Sequence, residues 1–387
     1  MWGARVARDI VETPKLQAQF GTSEPVEIGA LYGSIEDDTA RRLTMPRATH
    51  PQDHLSSEAI GDAVAWMQRT LQGGRPLPPE DQVWQWKEAG TLLAFLGALV
   101  AVLALGDLLL CGGLFAELRQ DPPPSAGATG LVWWVSAGLM VALPALTYFD
   151  LQTLGGLWLP PSTLFPQQIT TGIMVWALGN GGITLAGLAF WHVSSGGLRE
   201  PRAICYGLRP GSTTLARGLG KALLLGLVLA GLLYALLLAS HALFQTDFRF
   251  WVVALKPMGE LHARIFCRYL VPFAAFFLVT ALALHAQLRP RGRGLLVETA
   301  TNVTLLCGGI VALLLVQYVP LLSGEALPFG EPLLTVVAIQ FVPLLAVVAV
   351  VSTYLFRRTG CIYTGAVFNA LFVTGYIVAG QATHVAI

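Results

Sequence analysis

Two imidazoles and a carboxylate fall close together in the loop 49–55, Thr-His-Pro-Gln-Asp-His-Leu, as His50, Asp53 and His54. A neutral histidine exchanges protons near neutral pH, and a neighbouring carboxylate fixes which ring nitrogen carries the proton. Together they form a general-base pairing suited to acyl transfer. The same residues in a polar loop are also ordinary solvated turn residues, so the elements around them must decide between the two. A strand-like run over 41–48 leads into the loop, and a helix is expected over 57–71 after it. In that helix Ile60, Ala63, Val64, Met67 and Leu71 recur at three- and four-residue spacings on one face. Ser56 or Ser57 can cap its start, Glu58 suits the positive end of its dipole, and Gly73-Gly74 ends it.

Strand, polar loop and capped helix together resemble the closing unit of an α/β-hydrolase, where the histidine lies between the last strand and the last helix. The resemblance implies His54 as the triad histidine, Asp53 as its loop neighbour and His50 as the alternative base. It further implies a membrane-bound serine hydrolase that cleaves the ester or amide bond of a small-molecule ester or a peptide, with no cofactor and no metal. The rest of that machinery is missing from the sequence. No G-x-S-x-G elbow occurs, and the nearest string, Ser194-Ser195-Gly196-Gly197, stands in the wrong chain order at a membrane exit. Glu36, Asp37 and Asp38 read as a solvated acidic turn rather than the triad acid. The expectation is therefore a C-terminal fragment of a hydrolase domain over 1–74, with Met1 an internal methionine, inactive alone.

Composition places most of the chain in a bilayer. Of 387 residues, 54% are hydrophobic and 12% charged, with a mean hydropathy of +0.62. A net charge of +1, with basic residues spread over short loops, gives no reason to invoke nucleic acid. The lipid bilayer is the partner this composition demands. After a Pro/Gly-rich linker over 75–88, residues 89–387 carry about eight apolar runs long enough to span it: 91–115, 131–151, 168–193, 222–244, 269–287, 297–321, 333–356 and 362–378. The expected fold is thus mainly α, a polytopic helical bundle preceded by the small incomplete hydrolase fragment.

Loop charges orient the bundle in a cell membrane. Arg199, Arg202, Arg209, Arg217 and Lys221, then Arg289, Arg291 and Arg293, then Arg357 and Arg358, mark cytoplasmic loops. Both termini then lie outside, so the N-terminal segment is extracytoplasmic. Arg249, Lys256, Arg264 and Arg268 dissent. The segment 247–258 is too short to span and suits a helix or strand at the interface. Cys111, Cys205, Cys267, Cys307 and Cys361 show no metal spacing and read as small buried apolar residues. Polar residues inside spans are functional candidates by default, foremost Asp107 and Asn180, then His192, His241, Asn302, Gln317, Gln340, Asn369 and Gln381. A path lined by Asp107, Asn180 and His241 would mark a transporter or channel, and outward-facing or self-satisfied side chains there an anchor; a non-enzymatic scaffold whose hydrolase remnant binds a partner is a further alternative. Asn180 sits in Leu-Gly-Asn-Gly-Gly, where glycines either break a helix around a ligand or let helices pack closely.

Overall fold

A computed structural model of the chain describes residues 4, 6–197, 204–211 and 214–385. The loop cations Arg199 and Arg202 lie outside them. The described residues form twelve α-helices and two antiparallel two-stranded sheets, and they fall into two compact units. One unit comprises residues 1–90 with 314–337; the other comprises 91–313 with 338–387.

In the first unit a 3-10 turn over Ala7–Glu12 leads into α1 (Pro14–Phe20). Pro14 opens this helix, because the first helical turn has no partner for the N–H that proline lacks. Leu16 and Val26 are the fully buried apolar side chains among the described residues up to position 90. Phe20 meets Tyr32 edge to face at 5.2 Å. The helix expected over 57–71 is present as α2 (Ser57–Thr70), with the Ser56 hydroxyl accepting the Ala59 N–H at 3.3 Å. Its apolar stripe is only partly covered, since Met67 and Leu71 remain exposed.

The resemblance to an α/β-hydrolase does not survive this architecture. The structure is 66% helical, and among the described residues the strands make only two small antiparallel pairs, whereas that fold is built on a central parallel sheet. The strand expected over 41–48 shrinks to β2 (Arg41–Arg42), paired antiparallel with β1 (Leu31–Tyr32) in the register Leu31 to Arg42 and Tyr32 to Arg41. Pro46 explains the shortening: it has no N–H for a ladder, and the run around it lacks the alternation that buries one face.

The helices long and apolar enough to cross a bilayer account for most of the remaining chain. They begin with α3 (Trp84–Cys111). The run expected at 131–151 is a broken pair, α4 (Gly130–Leu146) and α5 (Tyr148–Trp158), bent by 54° just after Pro144. Then come α6 (Gln168–Ser194), α7 (Leu215–Phe244), α8 (Glu260–Leu282), α9 (Leu295–Leu322), α10 (Pro332–Ile339) with α11 (Phe341–Thr359), and α12 (Tyr363–Gly380). Seven spans result, or eight when the broken pair counts as one. The chain is a multi-pass membrane protein of mainly α structure. The burial expected of its cysteines is met at Cys307 and Cys361 but not at the exposed Cys111 and Cys267.

Helix α12 is the most enclosed of the seven, packed against α7, α8 and α11. Small residues allow that approach. A Cβ on Gly226 of α7 would lie 2.9 Å from the Thr364 carbonyl oxygen, and one on Gly155 of α5 would lie 2.9 Å from the Gly172 Cα of α6. The interfacial segment 247–258 takes the strand alternative, as the hairpin β3 (Phe248–Phe250) and β4 (Val253–Leu255). It docks on α12, where the Tyr376 hydroxyl accepts the Ala254 N–H and donates to the Val252 carbonyl.

Outside the spans, Glu117 lies in a short turn over Ala116–Leu118, paired with Lys221 and with Arg217 at 3.1 Å. The Lys221 hydrogen bond, reinforced by both positive charges, outweighs partial desolvation and holds the Glu117 carboxyl below the ordinary glutamate range. A group whose pKa falls on folding stabilises the fold above its unfolded pKa, and that contribution vanishes as pH drops through the folded value. Thermal melting of the purified protein should therefore lose stability more steeply below the glutamate range than that of Glu117→Gln. Superimposable pH profiles would show that the pair contributes nothing.

Candidate functional site

The loop that carries His50, Asp53 and His54 is a succession of tight turns. The Thr49 carbonyl accepts the N–H groups of Gln52 and Asp53, and Asp53–Leu55 form one 3-10 turn that ends at the cap of α2. Separations of three and four residues bring all three side chains to one face of these turns. The His50 Nδ1 lies 3.3 Å from Asp53 Oδ1, and the His54 Nδ1 lies 3.1 Å from the same oxygen. The His54 backbone N–H also donates to it at 3.0 Å. Partial desolvation works to raise the Asp53 pKa. The hydrogen bonds from His50 and from the His54 backbone and ring outweigh it, so the carboxylate sits below the ordinary aspartate range.

The loop is tied at both ends and exposed between them. The Arg47 N–H donates to Glu58 of α2, and the Tyr318 hydroxyl donates to the His50 carbonyl at 3.5 Å. The two histidine side chains are 69% and 55% exposed and that of Asp53 50%, which leaves the cluster open to solutes. Among the described residues no serine hydroxyl is hydrogen-bonded to either ring. The arrangement is a pair of imidazoles converging on one carboxylate, without a nucleophile beside them. The assignment of His54, or of His50, as a hydrolytic base loses the architecture from which it was drawn.

The bundle holds a second set of polar groups, and most of them are engaged with one another. Glu298, in the first turn of α9, is buried, and its Oε1 takes Arg289 at 3.0 Å and Arg357 at 3.5 Å. Arg289 is itself buried, donates to the Pro123 carbonyl and lies 5.0 Å over the Phe356 ring. Asp107 of α3 accepts the Tyr354 hydroxyl at 2.6 Å and the Arg358 guanidinium at 2.9 Å, both from α11. Burying such charges is costly, so removing one partner of the enclosed Glu298–Arg289 pair is far worse than removing both.

The neutral candidates follow the same pattern. Asn180 does not break its helix, since α6 runs through the glycines around it. Its amide donates to the Trp176 carbonyl at 2.9 Å and to the Thr147 hydroxyl at 3.0 Å, so it braces the bend between α4 and α5. Asn302 donates to the Thr353 hydroxyl at 2.8 Å, Gln317 to Thr335 at 2.7 Å, and Asn369 to the Val348 carbonyl at 3.2 Å. His192 lies 2.8 Å from the Tyr206 hydroxyl, and the Gln381 carbonyl accepts the Gln167 amide at 3.0 Å. His241 is exposed on α7, away from Asp107 and Asn180 in its bonding, and Gln340 sits at the break between α10 and α11.

Three important groups escape a sequence-based search. His285 lies in a π-turn over Ala283–Gln287 that extends α8 and turns it inward; it stacks on Phe356 at 4.3 Å and meets the Ser352 hydroxyl at 2.9 Å. Gln167 precedes α6 and binds the Val378 carbonyl at 2.9 Å. Arg289 and Glu298 stand nine positions apart at the margins of two apolar runs, where charge ordinarily means solvent. A histidine inside the run 269–287 was the one available signal.

A groove of about 400 Å³ opens between α4 and α6, walled by side chains such as Leu139, Met140, Phe190 and Trp191, with Asn180 and Gln287 among its few polar groups. A neighbouring cavity of about 50 Å³ shares Met140, Pro144, Asn180 and Thr184. No ionisable side chain lines either one. Comparison with protein-family models, with curated proteins and with solved structures finds no match.

Proposed function

We propose that the chain is a non-enzymatic scaffold of the cell membrane, a multi-pass bundle that tethers its N-terminal segment and moves no solute. The observation that carries this reading is the closure of the bundle's ionisable groups: Glu298 on Arg289 and Arg357, and Asp107 on Arg358 and Tyr354. A transporter needs groups that stay available to its cargo near the middle of the membrane. Here the charged pairs sit at span ends, and the amide nitrogens of Asn180, Asn302 and Asn369 donate to neighbouring groups, while the Asn302 and Asn369 amide oxygens are buried without a hydrogen-bond partner.

Charge placement supports a cytoplasmic position for the end that carries Arg217, Lys221, Arg289, Arg291, Arg293, Arg357 and Arg358, with the N-terminal segment outside. Two of the four dissenting cations are neutralised by neighbours, Arg249 by Asp247 at 2.8 Å and Arg264 by Glu260. The positive-inside rule counts basic residues and not net charge, so all four still oppose this orientation.

Reconstituted into liposomes with a trapped pH-sensitive dye, the protein should leave imposed proton and alkali-cation gradients intact. A serine-directed fluorophosphonate should leave the chain unlabelled. Gradient decay that Asn180→Ala or Glu298→Gln abolishes would replace the scaffold with a transporter.

A further inference from the structure

The exposed loop of the N-terminal segment offers something the tethering role does not use. We propose that His50, Asp53 and His54 form a binding site for a divalent transition-metal ion of the zinc type. Two imidazole nitrogens and one carboxylate oxygen are the borderline ligands that zinc and its neighbours prefer over calcium or magnesium, which favour oxygen shells.

Geometry narrows it. One ligand atom from each residue can be chosen so that all three lie within 4.8 Å of one another. Around a tetrahedral ion with bonds of 2.0–2.1 Å, neighbouring ligand atoms are separated by about 3.3 Å. The Nδ1 atoms of His50 and His54 stand 3.3 and 3.1 Å from Asp53 Oδ1, close to two edges of such a tetrahedron. An ion entering between them would replace the two ring-to-carboxylate hydrogen bonds with coordination, and little backbone movement would be needed.

The loop is also held ready. The His54 N–H orients the carboxylate, Tyr318 holds the His50 carbonyl, and Glu58 binds the Arg47 N–H. The first orients a ligating carboxylate from outside the coordination shell, and the other two fix the loop backbone. Three protein ligands on an exposed loop leave the fourth position to water or to a donor from a partner. Sequence spacing alone hides the site, because His-x-x-Asp-His matches none of the usual zinc patterns and depends on the tight turns between its members.

Binding is measured on the full chain in detergent micelles, stripped with a chelator and titrated with zinc against a chromophoric competitor. A second titration uses cobalt(II) and follows its visible absorption. One ion per chain is expected, with intensified cobalt bands of a four-coordinate site. His50→Ala/His54→Ala should abolish this binding, Asp53→Asn should weaken it at least about tenfold, and His241→Ala should leave it unchanged. Equal zinc binding by the native chain and the double variant, or a cobalt spectrum no different from the aqueous ion, would reduce the cluster to a hydrogen-bonded turn. The readout is independent of solute movement, so its failure would leave the scaffold reading standing.

Discussion

Glu298→Ala should destabilise the full chain by about 3–5 kcal/mol, the loss typical of one partner removed from a buried ion pair. The size of the effect comes from what is left behind. Arg289 keeps the Pro123 carbonyl and the Phe356 ring, but its charge stays buried without a counterion. Arg357 is more exposed and can turn toward solvent, so it absorbs little of the loss. A double variant, Arg289→Met with Glu298→Leu, removes both charges and should recover much of the stability, because the two desolvation penalties vanish with the attraction. Unfolding in mixed micelles at increasing SDS fraction measures both variants. Additive losses in the double variant, or a Glu298→Ala curve matching that of the surface control Glu325→Ala, would show that the pair does not lock the bundle.

The second large effect is steric. Gly226→Val should disrupt the packing of α7 on α12, since the new Cβ would stand 2.9 Å from both the Thr364 carbonyl oxygen and the Val367 Cβ. Backbone carbonyls cannot rotate away as a flexible side chain can, so the helices must separate. Overpacking of this kind costs about 1–3 kcal/mol and more where backbone is displaced. On the same helix a Cβ at Gly231 would meet no heavy atom within 4 Å, so Gly231→Val serves as the control for valine in place of glycine. A sharp loss of monodisperse protein in size-exclusion chromatography is expected for the first variant alone. Equal behaviour of the two would show that α12 is not clasped through Gly226.

The difference between what can be read along the chain and what cannot is visible in particular residues. Apolar runs near 131–151 and 333–356 announced membrane-crossing elements, yet the first is bent by 54° and the second is interrupted at Gln340. Helix α2 was legible to its cap, because the Ser56 bond to Ala59 and the three- and four-residue spacing are both local. The strand over 41–48 was not, because β pairing depends on a partner elsewhere, and the ladder that Arg41–Arg42 forms with Leu31–Tyr32 is two residues long. The hydrolase resemblance rested on that strand, and it fell with it. Asp107 was recognisable as an anomaly in an apolar run, but its partner Arg358 stands 251 positions away.

Membrane residence and helical class were determined by the sequence itself, since each span is a local sum of apolar side chains set against the thickness of a hydrocarbon layer. Which polar groups are consumed was decided only by tertiary structure. Glu298 closes on Arg289, Asn180 braces the bend at Thr147, and two histidines converge on the Asp53 carboxylate. Hydrogen bonds and ion pairs form over about 3 Å, and only the folded chain determines which side chains come that near.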